Sequence, residues 1–174
     1  GVIGKHLLPR LADHYGPDSI VIYAPVFLRD GVGNYKGMRV LPGITADYGE
    51  DLILEHYRRE GCTMLLMVGD WAMLRAVPSW AAHDELVWVQ WAPVDLLEVP
   101  DVIKDIMRYP VKVVPFSKHS EQRFREWKLE NVSPAIWLGI DLDIWKPQDR
   151  KTLPNVMNSL GFREDTYNIL IVQA

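Results

Sequence analysis

The sequence predicts an α/β protein with a doubly wound, mostly parallel sheet and helices on both faces. Two observations support this fold class. Short apolar runs alternate with amphipathic stretches along the chain, and the run Thr63–Val68 is apolar almost throughout. Such a run is typical of a parallel strand covered on both faces. The 174 residues suffice for one buried domain of ordinary size with little left over.

The predicted strands are short and are separated by helical patterns, which favours parallel pairing. They are Ser19–Ala24, Met38–Leu41, Thr63–Val68, Leu86–Trp91, Val111–Pro115 and Asn168–Val172, with a weaker candidate at Ala135–Leu138.

The predicted helices carry start and stop signals. They are Leu8–Tyr15, Glu50–Glu60, Asp101–Met107, Ser117–Leu129 and Leu153–Leu160. The first begins close to Pro9, because proline is tolerated in a first turn and not in a helix interior. Gly61 is a C-terminal stop for the second. Ser117 is an N-cap for the fourth, in which Glu121 and Arg125 form a pair four residues apart.

Composition and charge exclude several classes of protein. The net charge of −4 gives no bulk affinity for nucleic acid. No apolar run approaches the roughly 20 residues that span a bilayer. The single Cys62 excludes an internal disulfide and suits a reducing compartment, as a small buried hydrophobe and not a nucleophile. We therefore expect a cytoplasmic protein, either free or at the periphery of a membrane.

The loops that follow the strands hold most of the candidate site residues, because doubly wound sheets bind ligands at the carboxyl ends of their strands. Asp70 suits either a bond to a sugar hydroxyl or the cap of the next helix. Trp91 suits either a platform for a sugar ring or core packing. Asp95 suits either a base or hydrogen-bonding group or a turn. Ser117 lies in the loop that follows the strand Val111–Pro115.

Two further features have alternative interpretations. Gly1 and Gly4 precede a helical pattern, which suits either a phosphate-binding loop or a simple turn. Asp141 and Asp143, which follow Gly139, could share a divalent cation or belong to a turn. Two carboxylates supply too few ligands for a hard cation, and the five histidines show no metal-ligand spacing. We therefore expect no metal.

An ordered series of segments resembles the N-terminal, acceptor-side domain of a GT-B fold, retaining glycosyltransferase of the glycosyltransferase 4 group. The segments are "GVIGKHLLPRLADHYG", "YGEDLILEHYRREGCTMLLMVGDW", "VWVQWAPVD", "VKVVPFSKHSEQRFREW", "WLGIDLDIWKP" and "NILIVQA". The resemblance spans residues 1–174, and its most specific part is Leu138–Pro147, which is similar to the family's "hGIDxxxFxP" segment.

The resemblance implies a Rossmann-like sheet and the transfer of a sugar from a nucleotide-sugar donor to a hydroxyl of a glycan or other acceptor, with retention and without metal or other cofactor. It places Gly1 and Gly4 near the donor diphosphate. It places the other candidates at the acceptor face or cleft edge: Asp70, Trp91, Asp95, Ser117, Gly139 and Asp141. Many relatives carry a histidine where this chain has Trp91, so no catalytic base is assigned, and Asp70 and Asp95 are only candidates.

The resemblance also implies a division of the chain. Residues 1–147 would form the acceptor-side domain without its first strand, residues 148–167 a linker and helix, and residues 168–174 the first strand of a missing C-terminal, donor-binding domain. In the family that domain holds the nucleotide sugar, so we expect this chain alone to transfer no sugar.

Two other classes remain open at the level of sequence. One is another Rossmann-type nucleotide or nucleotide-sugar binding protein, such as an epimerase or dehydrogenase, although only G-x-x-G of the dinucleotide fingerprint is present. The other is a non-catalytic, flavodoxin-like binding module, a class that needs an acidic phospho-acceptor pocket, which Asp70 alone does not make.

Overall fold

The structure, a computed structural model, describes residues 2–24, 31–43, 52–69, 86–94 and 98–147, together with residues 159 and 161. The chain divides into two compact units, Gly1–Leu138 and Gly139–Ala174. The predicted elements Asn168–Val172 and Leu153–Leu160 fall in the second unit, outside the described residues apart from Ser159.

The first unit alternates helices and strands, which confirms the α/β class. Its helices among the described residues are α1 (Val2–Tyr15), α2 (Ile53–Arg59), α3 (Asp101–Ile106) and α4 (Lys118–Glu126), with a 3₁₀ turn at Pro17–Ser19. Its strands are β1 (Val21–Ala24), β2 (Gly33–Tyr35), β3 (Met38–Pro42), β4 (Leu65–Val68), β5 (Trp88–Ala92) and β6 (Lys112–Pro115).

The described strands form two three-stranded sheets. In the first, of order β1-β3-β2, β1 and β3 are parallel and β2 is antiparallel to β3. In the second, of order β4-β5-β6, all strands are parallel. Parallel strands are therefore present as predicted, and a single doubly wound sheet remains a prediction.

Strand β2 has no counterpart among the predicted strands. It joins β3 through a two-residue turn in which Lys36 and Gly37 both have positive φ, of 52° and 86°. The side-chain oxygen of Asn34 accepts a hydrogen bond from the Gly37 amide at 3.0 Å. Such turns match the twist of the two strands of a hairpin. The turn therefore allows β2 to pair with β3 although the sequence of β2 has no apolar pattern.

Helix α1 begins at Val2, and the prediction that it begins near Pro9 is wrong. Ile3, Leu7 and Leu11 are all half-buried and spaced four residues apart, so the apolar face extends across the proline. Packing of that face offsets the cost of an interior proline, about 3 kcal/mol. Gly4 consequently lies in the first helical turn and not in a preceding loop.

The segment that follows α4 runs beside β6 without forming a regular strand. The Ser133 amide donates to Val113 at 2.9 Å, and the Ile136 amide donates to Pro115 at 2.9 Å. The predicted weak strand at Ala135–Leu138 therefore lies in a segment that hydrogen-bonds to the outer edge of the parallel sheet, without strand geometry of its own.

Two clusters of buried apolar side chains lie in the described part of the first unit. One contains Ala92 of β5 together with residues that lie on β6 or α4 or that follow α3 or α4: Met107, Val113, Phe124, Leu129 and Val132. The other joins Ile53 of α2 to Leu86 and Trp88. Because Trp88 and Ala92 lie on the same face of β5, this strand connects the two clusters.

We expect Phe124→Ala to lower the free energy of unfolding by about 3–5 kcal/mol, because it removes a large buried side chain. Phe124 is 1% exposed and packs edge-on against Trp127 with ring centroids 5.2 Å apart. Urea unfolding measures the effect. Val102→Ala is the control, since Val102 is 62% exposed. Equal losses in the two variants would contradict this account of the core.

Candidate functional site

The candidate site lies at the carboxyl edge of the parallel sheet, where β4, β5 and β6 end side by side. Gly69 follows β4, Pro93 and Val94 follow β5, and Phe116 follows β6. We call this the ligand edge. It is the part of the fold that the sequence singled out, and the parallel pairing brings its loops together.

The backbone of Gly69 is held from two sides. Its amide donates to the carbonyl of Trp91 at 3.0 Å, and its carbonyl accepts from the side-chain amide of Gln90 at 3.0 Å. Its φ of 137° is strained for residues with a side chain, so glycine is the residue this turn requires. The exit of the chain from β4 is therefore fixed by contacts to β5.

Trp91 lies on the other face of β5 from Gln90 and is half-buried. Its indole N–H donates to the carbonyl of Ile136 at 3.1 Å, and its ring packs edge-on against Phe116, with centroids 5.2 Å apart and planes at 77°. The indole nitrogen thus has a structural partner, while part of the ring remains in contact with solvent. Both interpretations of Trp91, packing and platform, remain compatible with this geometry.

Ser117 is the N-cap of α4, as predicted. Its side-chain oxygen accepts from the Ser120 amide at 3.1 Å, with extended backbone angles at the cap. The hydroxyl of Ser120 is 3.1 Å from that of Ser117 and accepts from the Val94 amide at 3.0 Å. Ser120 is 2% exposed, so its buried hydroxyl joins the loop after β5 to the cap residue at the start of α4.

Glu121 connects α4 to the segment beside β6. One carboxylate oxygen accepts from the Ala135 amide at 2.9 Å and the other from Arg125 at 2.9 Å, which confirms the predicted pair. The Ala135 N–H, followed by Arg125, lowers the pKa of Glu121 below its usual range. The ionised Glu121 side chain therefore holds the segment that contains Ile136, whose carbonyl accepts the hydrogen bond from Trp91.

The remaining predicted site residues either lie outside the described residues or belong to other parts of the chain. Gly1, Asp70 and Asp95 lie outside the described residues. Gly4 is in α1, where a Cβ would meet Leu8 at an ordinary 3.5 Å, so close packing does not require glycine there. No hydrogen bond or ring contact of the described residues joins Gly4 to the ligand edge. Gly139 belongs to the second unit.

Asp141 forms a turn in the second unit. Its side-chain oxygen accepts from the Asp143 amide at 3.0 Å, and its carbonyl accepts from the Trp145 amide at 2.8 Å. This is the hydrogen bonding of an aspartate that caps a single helical turn. Asp143 is exposed. Across the described ranges, no group of three or more histidine, cysteine or carboxylate side chains could hold a metal ion.

Sequence reasoning missed three buried polar side chains: His56, Gln90 and Ser120. His56 is held between the Pro42 carbonyl at 3.1 Å and the guanidinium of Arg59 at 2.9 Å. A carbonyl only accepts and a guanidinium only donates, so Nε2 carries the proton and Nδ1 accepts. Gln90 had a visible signal, as the one polar residue in the apolar run "VWVQW".

Cys62 is half-buried and does not belong to the ligand edge. Burial, followed by the charge of Glu60, raises the pKa of its thiol. A thiol that stays protonated is a poor nucleophile. The half-burial and the raised pKa of Cys62 therefore agree with a residue that is not a nucleophile.

Comparisons of the chain with protein-family models, curated proteins and solved structures find no match. Among the described helices, none has the length and apolar character needed to cross a bilayer.

We expect Glu121→Gln to flatten the acid dependence of stability. The folded-state pKa of Glu121 is lowered from 4.5, so its contribution is present above that pH and is lost as pH falls through the folded-state pKa. Urea unfolding between about pH 7 and pH 3 measures this change. Glu126→Gln is the control, because the Glu126 bonds run to Gln122 and Arg123 of the same helix. Identical pH profiles would contradict the role of Glu121.

We expect millimolar Mn²⁺ or Mg²⁺ to leave the melting temperature unchanged, because Asp141 already uses a side-chain oxygen for the Asp143 amide. Differential scanning fluorimetry checks this expectation. A rise with metal that the double variant Asp141→Asn, Asp143→Asn lacks would show that the turn is a metal site.

Proposed function

We propose that the chain is the acceptor-side half of a retaining glycosyltransferase with a GT-B fold and a doubly wound, Rossmann-like sheet. The parent protein would transfer a sugar from a nucleotide-sugar donor to a hydroxyl of a glycan or other acceptor. The ligand edge supports this proposal: three parallel strands end beside a half-buried Trp91 that packs against Phe116. The ordered resemblance to the glycosyltransferase 4 group supports it independently.

The acceptor would lie along the ligand edge. A pyranose ring has an apolar face that stacks on an aromatic ring, and its hydroxyl groups bond to polar groups at the rim. Trp91 would provide the aromatic surface, and the loops after β4, β5 and β6 would provide hydrogen-bonding groups. Asp70 and Asp95, which directly follow described positions of these loops, remain the candidates for bonding the reacting hydroxyl.

The donor would approach α1. Gly4 is the third residue of that helix, and the first four amides of a helix have no partner within it. Such amides stabilise a phosphate through direct bonds and the helix dipole. In this proposal Gly1 and Gly4 border the donor diphosphate, Gly139 and Asp141 border the cleft, and the reaction is metal-free and cytoplasmic.

We expect methyl glycosides to bind at the ligand edge. ¹⁵N-labelled protein is titrated with methyl glucopyranosides, mannopyranosides and galactopyranosides while the Trp91 indole resonance and the Gly69 and Phe116 amide resonances are followed. At least one glycoside should shift these resonances together, because stacking alters the field around the Trp91 ring. Trp91→Leu should weaken that binding several-fold, since it removes the aromatic surface.

Trp137→Leu is the matched control, because Trp137 is 63% exposed and makes no ring contact with another described residue. Its binding should equal that of the wild type. No shift with any glycoside would reject the proposal. Shifts at the same resonances with NAD would favour the nucleotide-binding alternative, and labelling of Asp70 by a phosphoryl donor would favour the flavodoxin-like module.

A further inference from the structure

We propose that Gln90 is a positioning residue of the ligand edge, where its side-chain amide fixes the peptide group of Gly69. We call the hydrogen bond from the Gln90 side chain to the Gly69 carbonyl the clamp. Its functional consequence rests on the proposed function. The clamp itself is a property of the fold that can be measured without a ligand.

The Gln90 side chain is fully buried and uses both ends of its amide. Its NH₂ group donates to the Gly69 carbonyl at 3.0 Å, and its oxygen accepts from the Trp88 indole at 3.0 Å. An indole only donates and a carbonyl only accepts, so these partners determine which end of the amide is which. The side chain therefore has one orientation that satisfies both bonds.

The position of Gln90 suggests a role beyond packing. Its neighbours on the same face of β5, Trp88 and Ala92, belong to apolar clusters, and methionine would fill the same space without polar atoms. A buried amide is tolerated only when it is hydrogen-bonded. Here the NH₂ group of Gln90 donates to the carbonyl of Gly69, the residue that directly follows β4.

Gly69 shows what the clamp controls. Its amide bonds to Trp91 along the ladder, whereas its carbonyl bonds to the Gln90 side chain. The amide and the carbonyl of Gly69 are thus both hydrogen-bonded to β5, and its φ of 137° is one that favours glycine. The direction in which the chain leaves β4, towards Asp70, is set by this pair of bonds.

Ser120 provides an independent comparison. Its buried hydroxyl accepts from the Val94 amide at 3.0 Å and so holds the loop after β5 and not the loop after β4. Loss of each side chain should therefore loosen a different loop. A general loss of stability would instead affect both loops equally.

The experiment measures hydrogen-exchange protection of three amides by NMR. Gly69 reports on the clamp, Val94 on the Ser120 contact, and Val113, whose amide donates to the carbonyl of Asn131 at 2.9 Å, is the reference at the outer edge of β6. Relative to Val113, Gln90→Met should lower protection at the Gly69 amide about tenfold. The amide keeps its bond to Trp91, but loss of the bond to the Gly69 carbonyl lowers the free energy of local opening by about that of one hydrogen bond. Ser120→Ala should lower it at Val94 and leave Gly69 unchanged. Gln122→Met is the matched control on the exposed face of α4.

Gln90→Glu adds a test that a purely space-filling role does not pass. A protonated carboxyl can donate to the Gly69 carbonyl and accept from the Trp88 indole, whereas a carboxylate cannot donate. Burial favours the protonated carboxyl, so protection at Gly69, corrected for intrinsic exchange, should lie near the wild-type value wherever the carboxyl is protonated and fall where higher pH ionises it. Gln90→Met should stay poorly protected at every pH.

Equal losses at Gly69, Val94 and Val113 in Gln90→Met would overturn the proposal. So would protection at Gly69 in Gln90→Glu that is as low as in Gln90→Met at every pH. Selective loss at Gly69 in a protein whose Trp91 resonance responds to no glycoside would support the clamp and reject the proposed function. The two failures are therefore distinguishable.

Discussion

Strand β5 is the constraint on which the first unit depends, because it is hydrogen-bonded along both edges and three of its five side chains are excluded from solvent. Its parallel pairing with β4 and β6 fixes the direction of both neighbours. Its buried face joins the cluster around α2 to the cluster that α3 and α4 cover. A change in the register of β5 would reverse which side chains are buried and separate these clusters.

The same constraint explains where the polar groups of the interior lie. The buried Gln90 and Ser120 and the half-buried Asn131 each bond to a backbone group outside the regular hydrogen-bond pattern of the parallel strands. A buried polar side chain lowers stability unless its bonds are made, so its position is informative. Two of these three side chains hold loops of the ligand edge, as expected where a site depends on fixed backbone positions.

Several local features could be predicted because their physical causes are local. Ser117 caps α4 because its hydroxyl reaches an amide three residues ahead, and Gly61 follows α2 with the positive φ of 65° that suits a helix stop. Strand positions followed from apolar runs, although β4 and β5 each begin two residues later than expected. Strand β2 was missed because a hairpin turn, and not an apolar pattern, forms it. The start of α1 was misplaced because proline preference was given more weight than the packing of an apolar face.

Residue type and spacing predict the alternation of helices and strands, the N-cap and stop residues, and which loops follow parallel strands. Each of these features depends on interactions within about one element. Long-range contacts determine that Trp91 bonds to Ile136, that Gln90 bonds to Gly69, and that the described strands pair as two sheets. Those outcomes depend on contacts between residues distant in the chain, whose partners no local pattern specifies. Trp91 illustrates the difference: its residue type indicates an aromatic surface, and its contacts with Ile136 and Phe116 show how that surface is held.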